Sequence, residues 1–151
     1  MNIKTMIEVV KIAREQHITP YIWGEAGIGK SEVIKNMAID EGIGFVDLRL
    51  GTQETGDLIG MPSVQEGKTI WAKPSWFPKE GTKGILFLDE LNRGSRDVIQ
   101  AIFQLVLDRR LHTHKLPDGW SIVCAGNPSD SENYFVSELD VALKTRFINI
   151  T

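Results

Sequence analysis

The segment Gly24-Glu25-Ala26-Gly27-Ile28-Gly29-Lys30-Ser31 constrains this chain more than any other stretch. It has the form G-x-x-x-x-G-K-[ST], the phosphate-binding P-loop. Tyr21-Ile22-Trp23 precedes it with the β-branched and aromatic character of a strand, and a helical pattern follows it. That strand–loop–helix context is what the motif requires, and a chance glycine-rich turn would not supply it. Glycines let the backbone wrap a polyphosphate without Cβ clashes. Successive N–H groups then point inward as an anion nest, and the N-terminal dipole of the next helix adds positive potential at the same spot. Lys30 is expected to reach the β- and γ-phosphates, and the Ser31 hydroxyl to ligate Mg²⁺.

The chain has 151 residues, the size of one domain, and 42% of them are apolar, enough for a core. A net charge of −3 provides no basic field to draw it to nucleic acid or anionic lipid. No apolar run reaches membrane-spanning length and the N-terminus does not resemble a signal peptide, so the expectation is a cytoplasmic protein. The single cysteine, Cys124, cannot form an internal disulfide; in the apolar stretch Ile122-Val123-Cys124-Ala125 it reads as core.

Residues 2–16 predict a helix, with Ile3, Met6, Ile7, Val10 and Ala13 at helical spacing. His17-Ile18-Thr19-Pro20 ends it as a loop. Tyr21–Trp23 is the first core strand, and residues 30–40 are the helix behind the P-loop. Residues 45–50 alternate with period two, a strand with one polar face. Asp57-Leu58-Ile59-Gly60 reads as a helical turn, and residues 63–71 as a β-hairpin turning at Glu66-Gly67. Trp71, Trp76 and Phe77 are expected to form a satellite core. Gly84 to Glu90 is a strand buried on both faces that ends in two carboxylates. A helix from Ser95 to about residue 110 follows. Residues 111–120 carry the turn signal Pro117-Asp118-Gly119 and read as a second hairpin or extended loop. His112 and His114 within it read as surface residues, because metal binding needs more ligands than two. Residues 120–125 predict another buried strand, residues 138–144 a short helix, and residues 147–150 a last strand.

Strands and helices therefore alternate, the pattern of an α/β fold with a parallel sheet covered by helices on both faces. Ligands of such sheets bind at the carboxyl ends of the strands. The P-loop, Asp89-Glu90 and Asn127 each follow a predicted strand, so they should meet on one rim. Phosphoryl transfer needs charge neutralisation, a placed nucleophile and donors for developing charge. Asp89 is suited to hold Mg²⁺, directly or through water. Glu90 can polarise an attacking water as a general base, and the Asn127 amide can hold that water or a γ-phosphate.

At this point the sequence resembles a family. Gly24–Ser31, Ile85–Glu90, Asn127 in Ala-Gly-Asn-Pro and Arg146 in Thr-Arg-Phe are similar to the Walker A, Walker B, sensor-1 and arginine-finger elements of AAA+ ATPases. Asp57-Leu58-Ile59-Gly60, Asp89-Glu90-Leu91-Asn92-Arg93 and Asp108-Arg109-Arg110-Leu111 resemble the MoxR-like and dynein-related branch. The resemblance runs from Pro20 to Ile150. It implies a P-loop NTPase three-layer sandwich with two β-hairpin insertions that, in relatives, tend to face the ring pore and the substrate. By the same resemblance, Gly24, Glu25, Ala26, Gly27, Ile28, Gly29, Lys30 and Ser31 cradle ATP. Ser31 and Asp89 hold Mg²⁺, Glu90 activates water, Asn127 acts as sensor 1, and Arg146 reaches the γ-phosphate of a neighbouring subunit. Arg93 and Arg109 stand as candidates for intersubunit contacts or as solvated arginines. Residues 1–151 correspond to the AAA+ core domain, and no stretch matches the helical lid that usually follows, with its sensor-2 arginine.

The implied function is Mg²⁺-dependent ATP binding and hydrolysis that remodels or assembles a protein partner, within a homo-oligomeric ring of which a hexamer is one form. The isolated chain is expected to hydrolyse ATP slowly. Two rivals share the P-loop: a nucleotide-gated interaction module with little hydrolysis, and a small P-loop kinase, which would carry an arginine-bearing substrate lid. The client protein is not legible, a membrane role has no support, and nucleic-acid binding has little.

Overall fold

The computed structural model describes residues 2–24, 29–127 and 147–150. Helix α1 (Ile3–Glu15) opens them, with Asn2 Oδ1 accepting the Thr5 N–H at 2.8 Å as its N-cap. Strand β1 (Thr19–Trp23), helix α2 (Lys30–Glu41) and strand β2 (Gly44–Arg49) follow. Next come a short helix α3 (Thr55–Ile59) and strands β3 (Pro62–Gln65) and β4 (Lys68–Trp71). Strand β5 (Gly84–Asp89) leads to helix α4 (Arg96–Asp108), then β6 (Arg110–Leu111), β7 (His114–Lys115), β8 (Trp120–Gly126) and β9 (Phe147–Ile150). The expected helix over residues 138–144 lies outside the described residues.

Five strands form one sheet in the order β2-β5-β8-β1-β9, every neighbouring pair parallel. Side chains along a strand alternate between faces, and this sheet has a use for both. Ile22, Ile85, Phe87, Val123 and Ala125 pack with Met6, Val10, Ile34 and Met37 of α1 and α2. Tyr21, Leu86, Leu88, Ile122 and Cys124 face the opposite way, into the cluster holding Val98, Ile99, Ile102 and Leu105 of α4. This is the three-layer α/β sandwich that alternating elements imply, and it explains why β5 reads as an unbroken apolar run. Cys124 is fully buried, as its apolar neighbours require.

The strand β1 starts two residues earlier than its apolar run suggests, and Pro20 pairs with Ile148 of β9 instead of lying in a loop. Proline is compatible with extended backbone near a strand's start, where it removes one ladder bond at most.

The two antiparallel hairpins stand apart from the main sheet. The first, β3–β4, turns at Glu66 (φ 51°) and Gly67 (φ 74°) as expected, and exposes Val64 and Ile70. The second, β6–β7, turns at His112-Thr113, not at Pro117-Asp118-Gly119. His112 takes the positive φ of 56° that a two-residue hairpin loop demands. The Pro117 turn is a separate one, closed by the Trp120 N–H on the Pro117 carbonyl at 3.0 Å, and it launches β8.

The surface reading of His114 is wrong, because the hairpin folds inward onto the insert. His114 is 4% exposed, its ring 5.6 Å from that of Phe77 and its Nε2 3.3 Å from the Ile59 carbonyl. The His112 ring lies 4.2 Å from that of Trp71, tilted by 46°, so both histidines pack on the aromatic residues expected to form a satellite core. Phe77 is buried there, and Trp71 and Trp76 are partly so.

Two predictions follow from this packing. Gly44 and Gly84 pair in register, and a Cβ on Gly84 would approach Trp120 Cη2 to 2.5 Å and the Gly44 carbonyl to 2.7 Å. Gly84→Ala should therefore lower stability by about 1–3 kcal/mol, read from the urea midpoint. His114 is a base whose pKa is lowered from the ordinary 6.5 by burial, opposed by its bond to Ile59 and assisted by Lys73 and His112. Since folding favours its neutral form, the stability tied to it is complete above pH 6.5 and declines as pH falls through the lowered value. The melting temperature of His114→Gln, which keeps a donor but does not titrate, should depend less on pH between 7 and 5 than wild type, within the roughly ordinary histidine window.

Candidate functional site

The order of the strands places the site. The chain leaves β1 toward β2 past β8, and leaves β8 toward β9 past β1, so the connections of these two neighbours run in opposite directions. That reversal opens a crevice at their carboxyl ends, the position where open α/β sheets bind ligands. Gly24 follows β1 there, Asn127 follows β8, and Asp89 and Glu90 close β5 on the far side of β8.

Lys30 ties the crevice together. Its Nζ donates to the Gly24 carbonyl at 2.6 Å and to the Gly126 carbonyl at 3.3 Å. The Gly126 carbonyl also accepts the Gly24 N–H at 3.1 Å. One ammonium thus spans the ends of β1 and β8, although its residue is only 8% exposed. Gly29 caps α2 in the left-handed region (φ 80°), a turn at the strand-to-helix junction that a residue with a Cβ rarely makes. Its carbonyl accepts the Val33 N–H at 3.0 Å, so the helix begins at the loop and its positive end faces the crevice. Glu25, Ala26, Gly27 and Ile28 lie outside the described residues.

Ser31, in the first turn of α2, donates to Asp47 Oδ2 at 3.1 Å. Reading the sequence did not single out Asp47. The signal was present: on β2, Val46 and Leu48 belong to the α4 side, so Asp47 shares the α2 side with Phe45. A carboxylate on the face covered by the P-loop helix is a candidate neighbour of that helix's first hydroxyl.

Asp89 and Glu90 are both half-buried. Asp89 Oδ1 accepts the Glu90 N–H at 2.8 Å. Glu90 occupies the left-handed region (φ 55°, ψ 36°), uncommon for a residue with a side chain. The Arg93 N–H returns to the Glu90 carbonyl at 2.9 Å, closing a 3₁₀ turn over Leu91–Arg93. Glu90 therefore turns out of the extended line of β5 directly after Asp89. Among the described residues, no three His, Cys, Asp or Glu side chains cluster as a metal site of their own. Mg²⁺ does not need one, since it is usually held by one or two protein oxygens together with substrate phosphates.

Asn127 follows the peptide whose carbonyl receives Lys30, so it stands at the crevice as expected. Arg146 lies outside the described residues. Arg93 is exposed. Arg109 is not a free surface arginine. Its Nη2 donates to the carbonyls of Pro117 at 2.9 Å and Trp120 at 2.7 Å, bracing the turn before β8.

Comparison with known proteins bears on this arrangement. The pattern of the AAA domain (dynein-related subfamily) matches residues 21–147. The ATP-dependent protease ATP-binding subunit-like protein AmiB of Pseudomonas aeruginosa is 28% identical over 124 residues, covering 72% of this chain and 33% of its own length. The chain thus spans about a third of that relative. Among solved structures, a candidate ATPase from Cytophaga hutchinsonii superposes with a TM-score of 0.68 at 19% identity, over 98% of this chain and 46% of that one. NtrX of Brucella abortus in complex with ADP superposes with a TM-score of 0.62 at 18% identity, over 97% of this chain and 35% of that one. These likenesses agree with the α/β sandwich.

Proposed function

Since the chain belongs to the AAA domain family, dynein-related subfamily, we propose that it binds ATP with Mg²⁺ in the crevice between β1 and β8 and hydrolyses it. The observation that carries this reading is the Lys30 ammonium held at the ends of two strands, beside the start of α2 and next to the strand that ends in Asp89-Glu90. A buried cation at a helix N-terminus is a site for phosphate.

In this reading the backbone of Gly24, Glu25, Ala26, Gly27, Ile28 and Gly29 cradles the phosphates. Lys30 exchanges one or both of its carbonyl partners for phosphate oxygens. Ser31 and Asp89 hold Mg²⁺, which when bound offsets charge on the β- and γ-phosphates. The Asp47 carboxylate, taking the Ser31 proton in a hydrogen bond, turns the hydroxyl lone pairs away from itself and orients that ligand. Glu90 accepts a proton from water as it attacks the γ-phosphorus, and Asn127 donates its amide to that water or to a γ-phosphate oxygen. Arg146 acts on the nucleotide of a neighbouring subunit, so the working form is a ring that uses hydrolysis to remodel or assemble a protein client. The exposed hairpin β3–β4 is a surface on which such work could be done.

Calorimetric titration tests the binding step. Lys30→Ala should weaken MgATP binding by about 1.5–3 kcal/mol, the range for a lost charge-assisted hydrogen bond in a buried site. Equal affinity in the two proteins would remove the P-loop from the mechanism. Binding without turnover at any protein concentration would favour the nucleotide-gated interaction module, and phosphate transfer to a small acceptor a kinase.

A mixing experiment tests assembly. An arginine finger contributes about 10³–10⁵ in rate, so specific activity should rise with protein concentration. Arg146→Ala chains mixed with Lys30→Ala chains should recover part of the turnover that each lacks, because one interface can pair an intact P-loop with an intact finger. Concentration-independent turnover with no recovery on mixing would confine the site to one chain.

A further inference from the structure

The turn that follows β2 runs against the carboxylate assigned above to water activation. Leu50–Thr52 is a single 3₁₀ turn, reached directly from Arg49, which pairs in register with Asp89. A Cβ placed on Gly51 would stand 2.8 Å from Glu90 Oε2 and 3.2 Å from Arg93 Cβ. The first distance is closer than a carbon and a carboxylate oxygen can approach without one of them moving.

Two ordinary reasons for a glycine are absent here. Gly51 does not have a positive φ, so its backbone conformation is open to any residue. It is also exposed, so no core packing excludes a methyl group. What the missing side chain does is admit the Glu90 carboxylate.

Glu90 has few ways to answer an intrusion. Its backbone is in the left-handed region, with its N–H on Asp89 Oδ1 and its carbonyl on the Arg93 N–H, so the main chain is held from both sides. The end of its side chain is what can swing. A methyl group on Gly51 would therefore move the carboxylate, while the Arg93 Cβ at 3.2 Å gives by a few tenths of an ångström at most.

We propose that Gly51 is a positioning residue for Glu90: the bare backbone of the turn after β2 forms the wall against which the water-activating carboxylate is set. The proposal rests on the reading of Glu90 as that base. It also makes the turn a mechanical neighbour of the insert, because α3 and the hairpin β3–β4 continue from it, and a shift of that segment reaches Glu90 through Gly51.

The test compares Gly51→Ala, Glu90→Gln and the double variant for turnover, MgATP affinity by calorimetry, and melting temperature. Turnover is measured at protein concentrations where specific activity has levelled off. Gly51→Ala should lower kcat about 10–100-fold, the scale of a displaced catalytic group, with nucleotide affinity within about two-fold of wild type and an unchanged melting temperature. In the Glu90→Gln background it should have no further effect. Gly56→Ala is the control, since its added Cβ meets only Met61 Sδ at 3.6 Å, and it should behave as wild type.

Wild-type turnover in Gly51→Ala overturns the proposal. So does an equal further loss in the Glu90→Gln background, and so does a fall in nucleotide affinity or melting temperature large enough to account for the lost rate. If Glu90→Gln itself turns over like wild type, the reading of Glu90 fails and the proposal falls with it. A slow Glu90→Gln beside an unaffected Gly51→Ala sinks the proposal alone.

Discussion

A single buried ammonium closes the crevice on which this molecule's chemistry depends. An ion removed from water must recover its lost hydration from fixed partners. Lys30 finds them in the carbonyls of Gly24 and Gly126, at the ends of two strands far apart in the chain. The Gly24 N–H reinforces the same junction by bonding to the Gly126 carbonyl. This arrangement needs β1 and β8 to be neighbours, in a sheet where their connections run in opposite directions. Carbonyls are weaker partners for a cation than phosphate oxygens are. The resting contacts therefore keep the lysine in place while leaving an arriving anion a favourable exchange.

Around that junction the sheet acts as a partition. Its α1–α2 face carries the helix that begins at the P-loop, so the Phe87 and Ile34 packing holds Ser31 where Asp47 can accept from it. Its other face carries α4 and both hairpins, joined by contacts of His112 with Trp71 and of His114 with Phe77. The Arg109 guanidinium fastens the end of α4 to the turn before β8. The helix behind the P-loop and the hairpins thus lie on opposite sides of the sheet. The short turn of residues 50–52 leaves β2, passes Glu90 and continues into α3 and the first hairpin.

The backbone at Glu90 is bent for a local reason. The left-handed turn at Glu90 takes the chain out of the sheet, and the Asp89 carboxylate stabilises that turn by accepting the Glu90 N–H. The first acid is thereby both a candidate metal ligand and the support of the second.

Several elements were legible from the chain alone because their physics is local. The P-loop spacing announces a helix starting behind Gly29, the apolar run Ile85–Leu88 announces a strand covered twice, and Glu66-Gly67 announces a hairpin turn that demands positive φ. Asp89, Glu90 and Asn127 were placed on one rim because strands of a parallel sheet share a carboxyl edge. The partners were not legible, because they are set by which strands become neighbours and by how loops fold back. Asp47 touches Ser31 only once β2 lies under α2. His114 reads as a surface residue until its hairpin turns at His112-Thr113, ahead of the Pro117 signal, and carries it against Phe77. Arg109 reads as a free arginine until the turn before β8 brings two carbonyls to it. Gly51, one glycine among 14, matters only because the register of β2 on β5 carries the turn after it past Glu90. The sequence by itself determined the elements and the residue types that meet at the rim, through periodicity and turn chemistry. The tertiary structure alone decided which side chain answers which, since hydrogen bonds and steric contact act over a few ångströms between residues that the chain keeps far apart.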